Sequence, residues 1–178
     1  MIYKKEFLFL RHGETDFNAK KIVSGENIDI SLNQKGMQQA KEVCPLLDNV
    51  SFKTICHSPM KRARETMELA TIGHNIPKIE IEELRECSNE TWIEMTTREI
   101  NQQHSAQVSD FFIKTLSGMN KALRYPDPVL VIAHGGIHWA LCCLLNITSH
   151  PWDIDNCHLV HFKPVENGWK TRVISSTC

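Results

Sequence analysis

Short apolar runs, each followed by a turn that contains glycine, limit the folds that this chain can adopt. Glu6 to Leu10 and Pro128 to Ala133 are too short for helices and are typical of strands buried in a parallel sheet. Lys53 to His57 predicts a third strand. Between the first and third strands, Asn33 to Leu47 has apolar residues at helical spacing. The order of strand, helix, strand therefore predicts an α/β fold.

Two further helices and a hairpin are indicated later in the chain. Ser58-Pro59 supplies an N-cap residue and then proline, which predicts a helix over Met60 to Ala70. Gly135 to Leu145 predicts another helix directly after a strand. Asn-Gly between two strand-like runs favours a hairpin at one edge of the sheet. The apolar face of the Asn33 to Leu47 helix consists of Met37, Ala40, Cys44 and Leu47. The hairpin consists of His158 to Phe162, the turn Glu166-Asn167-Gly168 and Trp169 to Ser175.

The segment from Leu84 to about Tyr125 has two helical patterns and no strand. One pattern lies around Trp92 to His104, and the other contains Val108, Phe112, Leu116, Met119 and Leu123. We expect this segment, at about residues 84–125, to form a small helical cap over the active edge of the sheet. Because there is no repeat, low-complexity tract or linker, we expect residues 1–178 to form one domain. The predicted architecture is a three-layer sandwich with a mainly parallel central sheet.

Composition and charge exclude several classes of partner. The chain has 178 residues, with 20 Lys and Arg against 21 Asp and Glu, so its formal net charge is -1. This balance gives no indication of nucleic acid or a membrane surface as a partner. No apolar run reaches the length of a membrane span or a signal-peptide core. We therefore expect a cytoplasmic protein, and the sequence leaves its oligomeric state open.

The seven cysteines form no CxxC pair and have no histidine at the spacing of a zinc partner. We expect them to be reduced and mostly buried, with a catalytic thiol at Cys56 or Cys87 as the alternative. The full set is Cys44, Cys56, Cys87, Cys142, Cys143, Cys157 and Cys178.

Two histidines stand at equivalent places in the predicted sheet. His12 follows the first strand, and His134 follows the strand that ends at Ala133. Open α/β sheets bind ligands at the carboxyl ends of their strands, so topology brings the two histidines to one crevice. Arg11 precedes the first histidine, and Arg62 lies in the first turn of the helix after Ser58.

This group of side chains suits a phosphate ester. The guanidinium groups of Arg11 and Arg62 can clamp the phosphate, assisted by the N-terminus of the helix after Ser58. A neutral His12 can attack phosphorus, and the two arginines are expected to lower its pKa. A protonated His134 would stabilise the charge of the transition state. Glu86 is the leading candidate for the proton donor and later base, with Glu90 as the alternative.

Four motifs, in order, resemble the histidine phosphatase superfamily, the phosphoglycerate mutase-like proteins. The first motif is Leu10-Arg11-His12-Gly13-Glu14-Thr15, followed by Asn18, Ser24-Gly25, Asp29, Leu32, Gly36 and Gln39-Ala40. The other three are Ser58-Pro59-Met60-Lys61-Arg62-Ala63-Arg64-Glu65-Thr66, Leu84-Arg85-Glu86 and Ala133-His134-Gly135-Gly136.

The resemblance implies a phosphomonoesterase that acts on a small phosphorylated metabolite without a metal or another cofactor. It implies a covalent phosphohistidine at His12, with Glu86 as acid and base. The residues that it places around the substrate are Arg11, Asn18, Ser24, Gly25, Arg62, His134 and Gly135.

Two departures from the family pattern bear on which branch of the family the chain resembles. Glu90 stands where the family carries glycine, and Trp92-Ile93-Glu94 keeps only the tryptophan of a Trp-Glu-Gly-like run. The stretch from Glu90 to Met95 is also similar to the cap of α-ribazole phosphatases. About seventy residues separate the second and third motifs, which leaves room for a small cap and favours a phosphatase over a mutase. A mutase and a non-catalytic module that binds a phosphorylated ligand remain the alternatives.

For several other residues, a surface, core or structural role is expected rather than a catalytic one. Arg64 is expected at the surface, because three adjoining basic residues cannot all reach one phosphate. Phe112 is expected in the core, whereas Trp92 could face either the core or the substrate. Structural or surface roles are expected for His138, His150, His158 and His161.

Overall fold

A computed structural model describes residues 1–97, 104–148 and 150–175. The strands are β1 (Phe7–Arg11), β2 (Thr54–His57), β3 (Lys78–Glu80), β4 (Val129–Ala133), β5 (Leu159–Val165) and β6 (Gly168–Ile174). The helices are α1 (Asp16–Ala19), α2 (Gln34–Leu47), α3 (Lys61–Ala70), α4 (Asn89–Thr97), α5 (Ala106–Ala122) and α6 (Gly135–Leu144), with a 3₁₀ turn at Glu82–Leu84.

The strands form one sheet in the order β3-β2-β4-β1-β5-β6. The first four strands in this order are parallel to their neighbours, and β5 and β6 add an antiparallel hairpin at one edge. In the register of β1 and β4, Arg11 lies opposite Ala133. The predicted mainly parallel sheet and its edge hairpin are thus confirmed.

Alternate side chains of the central strands contribute to two separate apolar cores. Phe7 and Phe9 belong to a core that includes residues of α5 and α6, whereas Leu8 and Leu10 belong to a core that includes residues of α2 and α3. This alternation follows from the period of two in a strand, which points successive side chains to opposite faces. Helices cover both faces, which confirms the three-layer α/β sandwich.

Three local predictions differ from the structure. The buried face of α2 is rotated from the predicted one, since Met37 is 41% exposed and Gly36 and Val43 are buried instead. The α3 helix begins at Lys61 with Met60 as its N-cap, so Ser58 does not cap it as expected. The edge strand β3 was not predicted, because its three residues are too few to carry a pattern and none of them is fully buried.

The segment expected to form the cap contains α4 and α5. The buried residues of α5 share a core with Phe9 and Val131 of the sheet, and α5 contacts α6. This helix therefore belongs to one outer layer of the sandwich rather than to a cap over the sheet edge. Of the helix predicted around Trp92 to His104, α4 covers the part up to Thr97, and residues 98–103 lie outside the described residues. Within the described part of the chain, no helix has the length and apolar character needed to cross a membrane.

Candidate active site

His12 and His134 meet at the carboxyl ends of β1 and β4. The parallel pairing of these strands continues into a hydrogen bond from the His12 backbone N–H to the Ala133 carbonyl, at 3.0 Å. The two imidazole rings lie with their centroids 5.2 Å apart. The two predicted histidines meet because β1 and β4 are parallel neighbours, so their carboxyl ends lie at the same edge of the sheet.

The tautomer of His12 is set from both sides of the ring. Its Nδ1 lies 2.7 Å from the Gly13 carbonyl oxygen, which can only accept, so Nδ1 carries the proton. On the other side, Nε of Arg62 donates to Nε2 of His12 at 3.3 Å. Nε2 is therefore the unprotonated nitrogen. Its lone pair accepts the bond from Arg62 in the free site, and it is the atom that could act as a nucleophile.

His12 is neutral in the free site. Burial lowers its pKa well below the usual value, and the positive charges of Arg62 and Arg11 lower it further. The expected direction is correct, although burial contributes more than the arginines on which the expectation rested.

Arg62 is buried and its donors are engaged by the loop that precedes α2. Besides Nε on His12, Nη1 donates to the Ile28 carbonyl and Nη2 to the Gly25 carbonyl, each at 3.1 Å. The side chain is only 1% exposed. A guanidinium has five N–H groups, so two remain for an anion. Arg62 thus orients His12 and its loop in addition to any contact with phosphate.

His134 differs from the expectation in charge and in position. Burial, followed by the positive charge of Arg62, lowers its pKa well below the usual value, so it is neutral rather than protonated in the free site. It is fully buried and does not line the cavity. Its Nε2 lies 2.7 Å from Oγ of Ser58, and its Nδ1 is buried without a hydrogen-bond partner among the described residues. Ser58 therefore positions the imidazole of His134, a role that its predicted capping function did not include.

The guanidinium of Arg11 is held at the start of a loop that follows α6. Nη1 donates to the Ile154 carbonyl and lies 3.6 Å from Oδ1 of Asp153. Its Nε is buried with no hydrogen-bond partner in the described structure. A buried donor without a partner is costly, and a bound anion would satisfy it.

Glu86 lines the same cavity, whereas Glu90 does not. The Glu86 carboxylate accepts hydrogen bonds from the backbone N–H groups of Cys87 and Gly136, at 3.0 and 3.1 Å. A Cβ added at Gly136 would lie 2.1 Å from Oε1 of Glu86, so glycine is needed there for the carboxylate to occupy its place. Glu90 is exposed at the start of α4 and borders a different depression. The geometry favours Glu86 over Glu90.

The helix N-terminus at the site is that of α6 rather than α3. At α3, the backbone N–H of Lys61 is already occupied by the carboxylate of Asp29, at 2.7 Å. At α6, Gly135 lines the cavity beside Arg11. The dipole of α6 therefore favours an anion in the cavity, and the prediction made for the helix after Ser58 is wrong.

A cavity of about 400 Å³ joins these groups. The predicted residues on its wall are Arg11, His12, Asn18, Ser24, Gly25, Arg62, Glu86 and Gly135. Trp92, whose sequence position is compatible with either the core or the substrate pocket, also lines the cavity. The residues that sequence reasoning did not assign to the site are Lys21, Ile22, Val23, Asp153, Asp155 and Asn156. They lie on loops without a regular pattern, so the only signal for some of them was the proximity of Lys21, Ile22 and Val23 to Ser24 in the sequence.

The alternative catalytic cysteines and several other residues lie in the environments expected of structural or surface residues. Burial raises the pKa of Cys56 to about 12 and also raises that of Cys87, so neither is a reactive thiolate. Cys178 lies outside the described residues. His138 is fully buried, Phe112 is partly buried against the core, and the side chain of Arg64 is 49% exposed.

Comparisons with known proteins agree with this geometry. The family model of the histidine phosphatase superfamily (branch 1) matches residues 7–120. The uncharacterized phosphatase PhoE of Bacillus subtilis is 29% identical over 163 residues, 85% of this chain and 82% of PhoE. The adenosylcobalamin/alpha-ribazole phosphatase of Salmonella typhimurium is 35% identical over 83 residues, 47% of this chain and 41% of that enzyme. The structure of Bacillus stearothermophilus YhfR aligns with a TM-score of 0.77 at 20% identity over 95% of this chain and 96% of YhfR, a likeness of fold.

Proposed function

Since the chain belongs to the histidine phosphatase superfamily (branch 1), we propose that it hydrolyses a small phosphate monoester in two steps, through a phosphohistidine at His12 and without a metal. The phosphatase class agrees with the phosphatases among its relatives. The observation that carries the proposed mechanism is the fixed tautomer of His12, whose unprotonated Nε2 lies at the wall of the cavity.

In the first step, the lone pair of Nε2 attacks phosphorus. The N–P bond forms as the bond between phosphorus and the ester oxygen breaks, and Glu86 gives its proton to the departing oxygen. Nε of Arg62 hydrogen-bonds to this lone pair in the free site, so the bond must pass from Nε2 to a phosphate oxygen as the substrate enters. Burial favours this exchange, because the donor cannot be left unpaired.

In the second step, water attacks the phosphorus of the phosphohistidine. Glu86, now a carboxylate, accepts the proton of the water, and the N–P bond breaks to return the electron pair to Nε2. Glu86 then carries the proton needed for the next cycle. The products are the alcohol and inorganic phosphate, and no atom is left on the protein.

The phosphoryl oxygens meet donors that the free site leaves available. Nε of Arg11 has no partner among the described residues, and Arg62 retains two N–H groups. Oδ1 of Asn18 accepts from Thr15 and Asn156, which leaves Nδ2 as the donor that Asn18 can offer. The loop at Ser24 and Gly25 and the backbone at Gly135 complete the pocket.

The outer wall of the cavity favours a phosphatase over a mutase. The side chains of Asp153 and Asp155 are 80% and 91% exposed and line the cavity. Their carboxylates repel a second phosphate or a carboxylate on the substrate, which mutase substrates carry. Trp92 offers an aromatic face to the rest of the substrate. The α-ribazole phosphatase of Salmonella among the relatives supports the inclusion of α-ribazole phosphate among the substrates to be tested.

Radioactive labelling tests the mechanism directly. Protein mixed with a ³²P-labelled monoester and quenched in alkali should retain label on wild type and on Glu86→Gln, but not on His12→Ala. With Glu86→Gln, poor leaving groups such as alkyl phosphates should slow by about 10²-fold, whereas p-nitrophenyl phosphate should slow less. Glu90→Gln is the matched control and should behave as wild type. Equal losses for good and poor leaving groups would reject Glu86 as the acid.

A panel of phosphorylated metabolites then distinguishes the alternatives. Release of inorganic phosphate from ring-containing esters with a single phosphate group, including α-ribazole phosphate, supports the phosphatase assignment. Return of the label to another hydroxyl of a phosphoglycerate would identify a mutase. Binding of vanadate with no turnover of any ester would identify a non-catalytic module.

A further inference from the structure

Three side chains with metal-binding atoms meet at the end of α2 that is far from the cavity. We propose that Cys44, Asp48 and His74 bind a divalent transition-metal ion of the Zn²⁺ class. Cys44 lies in the last turn of α2, Asp48 is its C-cap residue, and His74 lies in the loop after α3. The ligand atoms of the three side chains all lie within 4.8 Å of one another.

Secondary structure brings the first two ligands together. Cys44 and Asp48 are four residues apart at the end of a helix, so their side chains share one face. This is the spacing at which two helical residues can bind one metal ion. The packing of α2 against α3 then brings the loop that carries His74 to the same face. The site therefore depends on the tertiary packing of two helices that the sandwich already requires.

The imidazole of His74 supplies the second observation. Its Nε2 lies 3.2 Å from Oδ1 of Asp48, but the contact does not meet hydrogen-bond geometry. This nitrogen is buried and has no hydrogen-bond partner among the described residues. Phe52 packs against the ring, with centroids 5.2 Å apart, and restricts its orientation. A metal ion between the nitrogen and the carboxylate would satisfy both groups.

The donor set selects the kind of metal. Thiolate and imidazole favour Zn²⁺ and Co²⁺ over Mg²⁺ and Ca²⁺, which prefer oxygen ligands. Three protein ligands leave one position of a tetrahedral ion for water. Sγ of Cys44 now donates to the Ile72 carbonyl at 3.5 Å, and its proton must leave when a metal binds.

The site lies apart from the phosphatase chemistry. The first turn of α2 is next to the His12 loop, since Gly36 packs against the Glu14 carbonyl, whereas Cys44 and Asp48 lie at the other end of this 14-residue helix. At 1.5 Å per residue, the helix spans about 20 Å. A metal here would join the end of α2 to the loop after α3 and stabilise the folded state, because the unfolded chain lacks the site.

Cobalt titration of the tag-free, chelator-treated protein tests the proposal. Co²⁺ bound to a thiolate gives an intense near-ultraviolet charge-transfer band, and we expect this band to saturate at one ion per chain. An equal amount of Zn²⁺ should remove it. Cys44→Ser should abolish the band, whereas Cys143→Ser, which changes another partly buried cysteine, should retain it.

The second readouts separate metal binding from loss of folding. Zn²⁺ should raise the melting temperature of wild type and of Cys143→Ser. It should not raise that of Cys44→Ser or of Asp48→Asn, which changes an exposed side chain. The affinity of His74→Asn for Zn²⁺ should fall at least 100-fold, and circular dichroism checks its fold. Hydrolysis of p-nitrophenyl phosphate should be the same for Cys44→Ser and wild type, so either proposal can fail alone. Absence of the charge-transfer band in wild type, or its persistence in Cys44→Ser, overturns the metal site.

Discussion

Two pairs of buried histidines lie in this fold with almost the same ring separation. The centroids are 5.2 Å apart for His12 and His134 and 5.1 Å apart for His138 and His150. In the first pair, His12 lines a cavity together with two arginines, whereas the second pair lies against the apolar core near Phe9. Proximity of two imidazoles is therefore not enough to make a site.

The ring nitrogens of the two histidine pairs have different hydrogen-bond partners. Burial is the largest cause of a lowered pKa in all four histidines, so all are neutral. Nε2 of His138 faces Nε2 of His150 at 3.2 Å, so one nitrogen must donate to the other and the accepting lone pair is occupied. Nε2 of His12 faces a cationic donor that can turn to an incoming anion. Access and an exchangeable partner distinguish the reactive imidazole from the structural one.

The largest expected effect comes from removing one histidine of each pair. His12→Ala should lower kcat/KM for p-nitrophenyl phosphate by at least about 10³-fold, or about 4 kcal/mol, because no other group can form the covalent intermediate. His138→Gln should lower the melting temperature but change kcat/KM by less than about tenfold. Steady-state kinetics and thermal unfolding of both variants measure this. Loss of activity in folded His138→Gln equal to that in His12→Ala would abolish the distinction between the pairs.

The next effect tests the cation that only the first pair possesses. Arg62→Lys should lower kcat/KM by about 10²-fold, or about 2.7 kcal/mol, because an ammonium cannot bond to His12 and to two loop carbonyls with the geometry of a guanidinium. Arg64→Lys is the matched control, since Arg64 is exposed on the same helix and pairs with Glu80. Its kcat/KM should change by less than twofold. If both substitutions have the same small effect, Arg62 does not orient His12.

A third effect concerns stability and comes from the second pair. Burial lowers the pKa of His138 to about 4, whereas the unfolded chain has an ordinary histidine pKa of about 6.5. Because the folded state binds this proton less readily, the contribution of His138 is complete above about pH 6.5 and is lost as pH falls toward 4. Between pH 7 and pH 5 this amounts to about 2 kcal/mol of unfolding free energy.

Urea unfolding at pH 7 and pH 5 measures that loss. The free energy of unfolding should fall with pH in wild type, and it should fall by about 2 kcal/mol less in His138→Gln. Since His12 and His134 also have lowered pKa values, some loss remains in the variant. Identical pH dependence in the two proteins would show that His138 does not resist protonation in the fold.

The smallest effect concerns the hydroxyl that positions the first pair. Ser58→Ala removes the partner of His134 Nε2, and we expect a loss of about 1 kcal/mol, or about fivefold in kcat. The control is Ser109→Ala, an exposed serine of α5 whose hydroxyl bonds only within its own helix. An unchanged kcat and KM in Ser58→Ala would remove Ser58 from the positioning of the site.

Much of the fold could be predicted because its signals are local. The apolar runs before His12 and His134 are buried strands, and their parallel pairing puts the two histidines side by side. The Asn-Gly turn predicted the edge hairpin, since its backbone requirement is met by the residues of the turn itself. The motifs around these elements also predicted the family, which the comparison confirms.

Other features could not be predicted, because they depend on contacts between distant segments. Ser58 had the sequence of an N-cap, but its hydroxyl pairs with His134, 76 residues away. A single helical pattern could not tell whether α5 faces the sheet or covers its edge. Likewise, Cys44 and His74 have no zinc-like spacing, and only the packing of α2 against α3 brings them together.

Residue order alone was sufficient for the types of the central strands, for the neighbouring positions of His12 and His134 and for the family, whereas the role of His12 as the nucleophile stays a prediction. Only packing decided which nitrogen of His12 is free, that His134 is neutral and which carbonyls hold Arg62. The physical reason is that periodicity and turn chemistry act over a few residues, whereas pKa values and hydrogen-bond partners depend on burial and on charges that come from far along the chain.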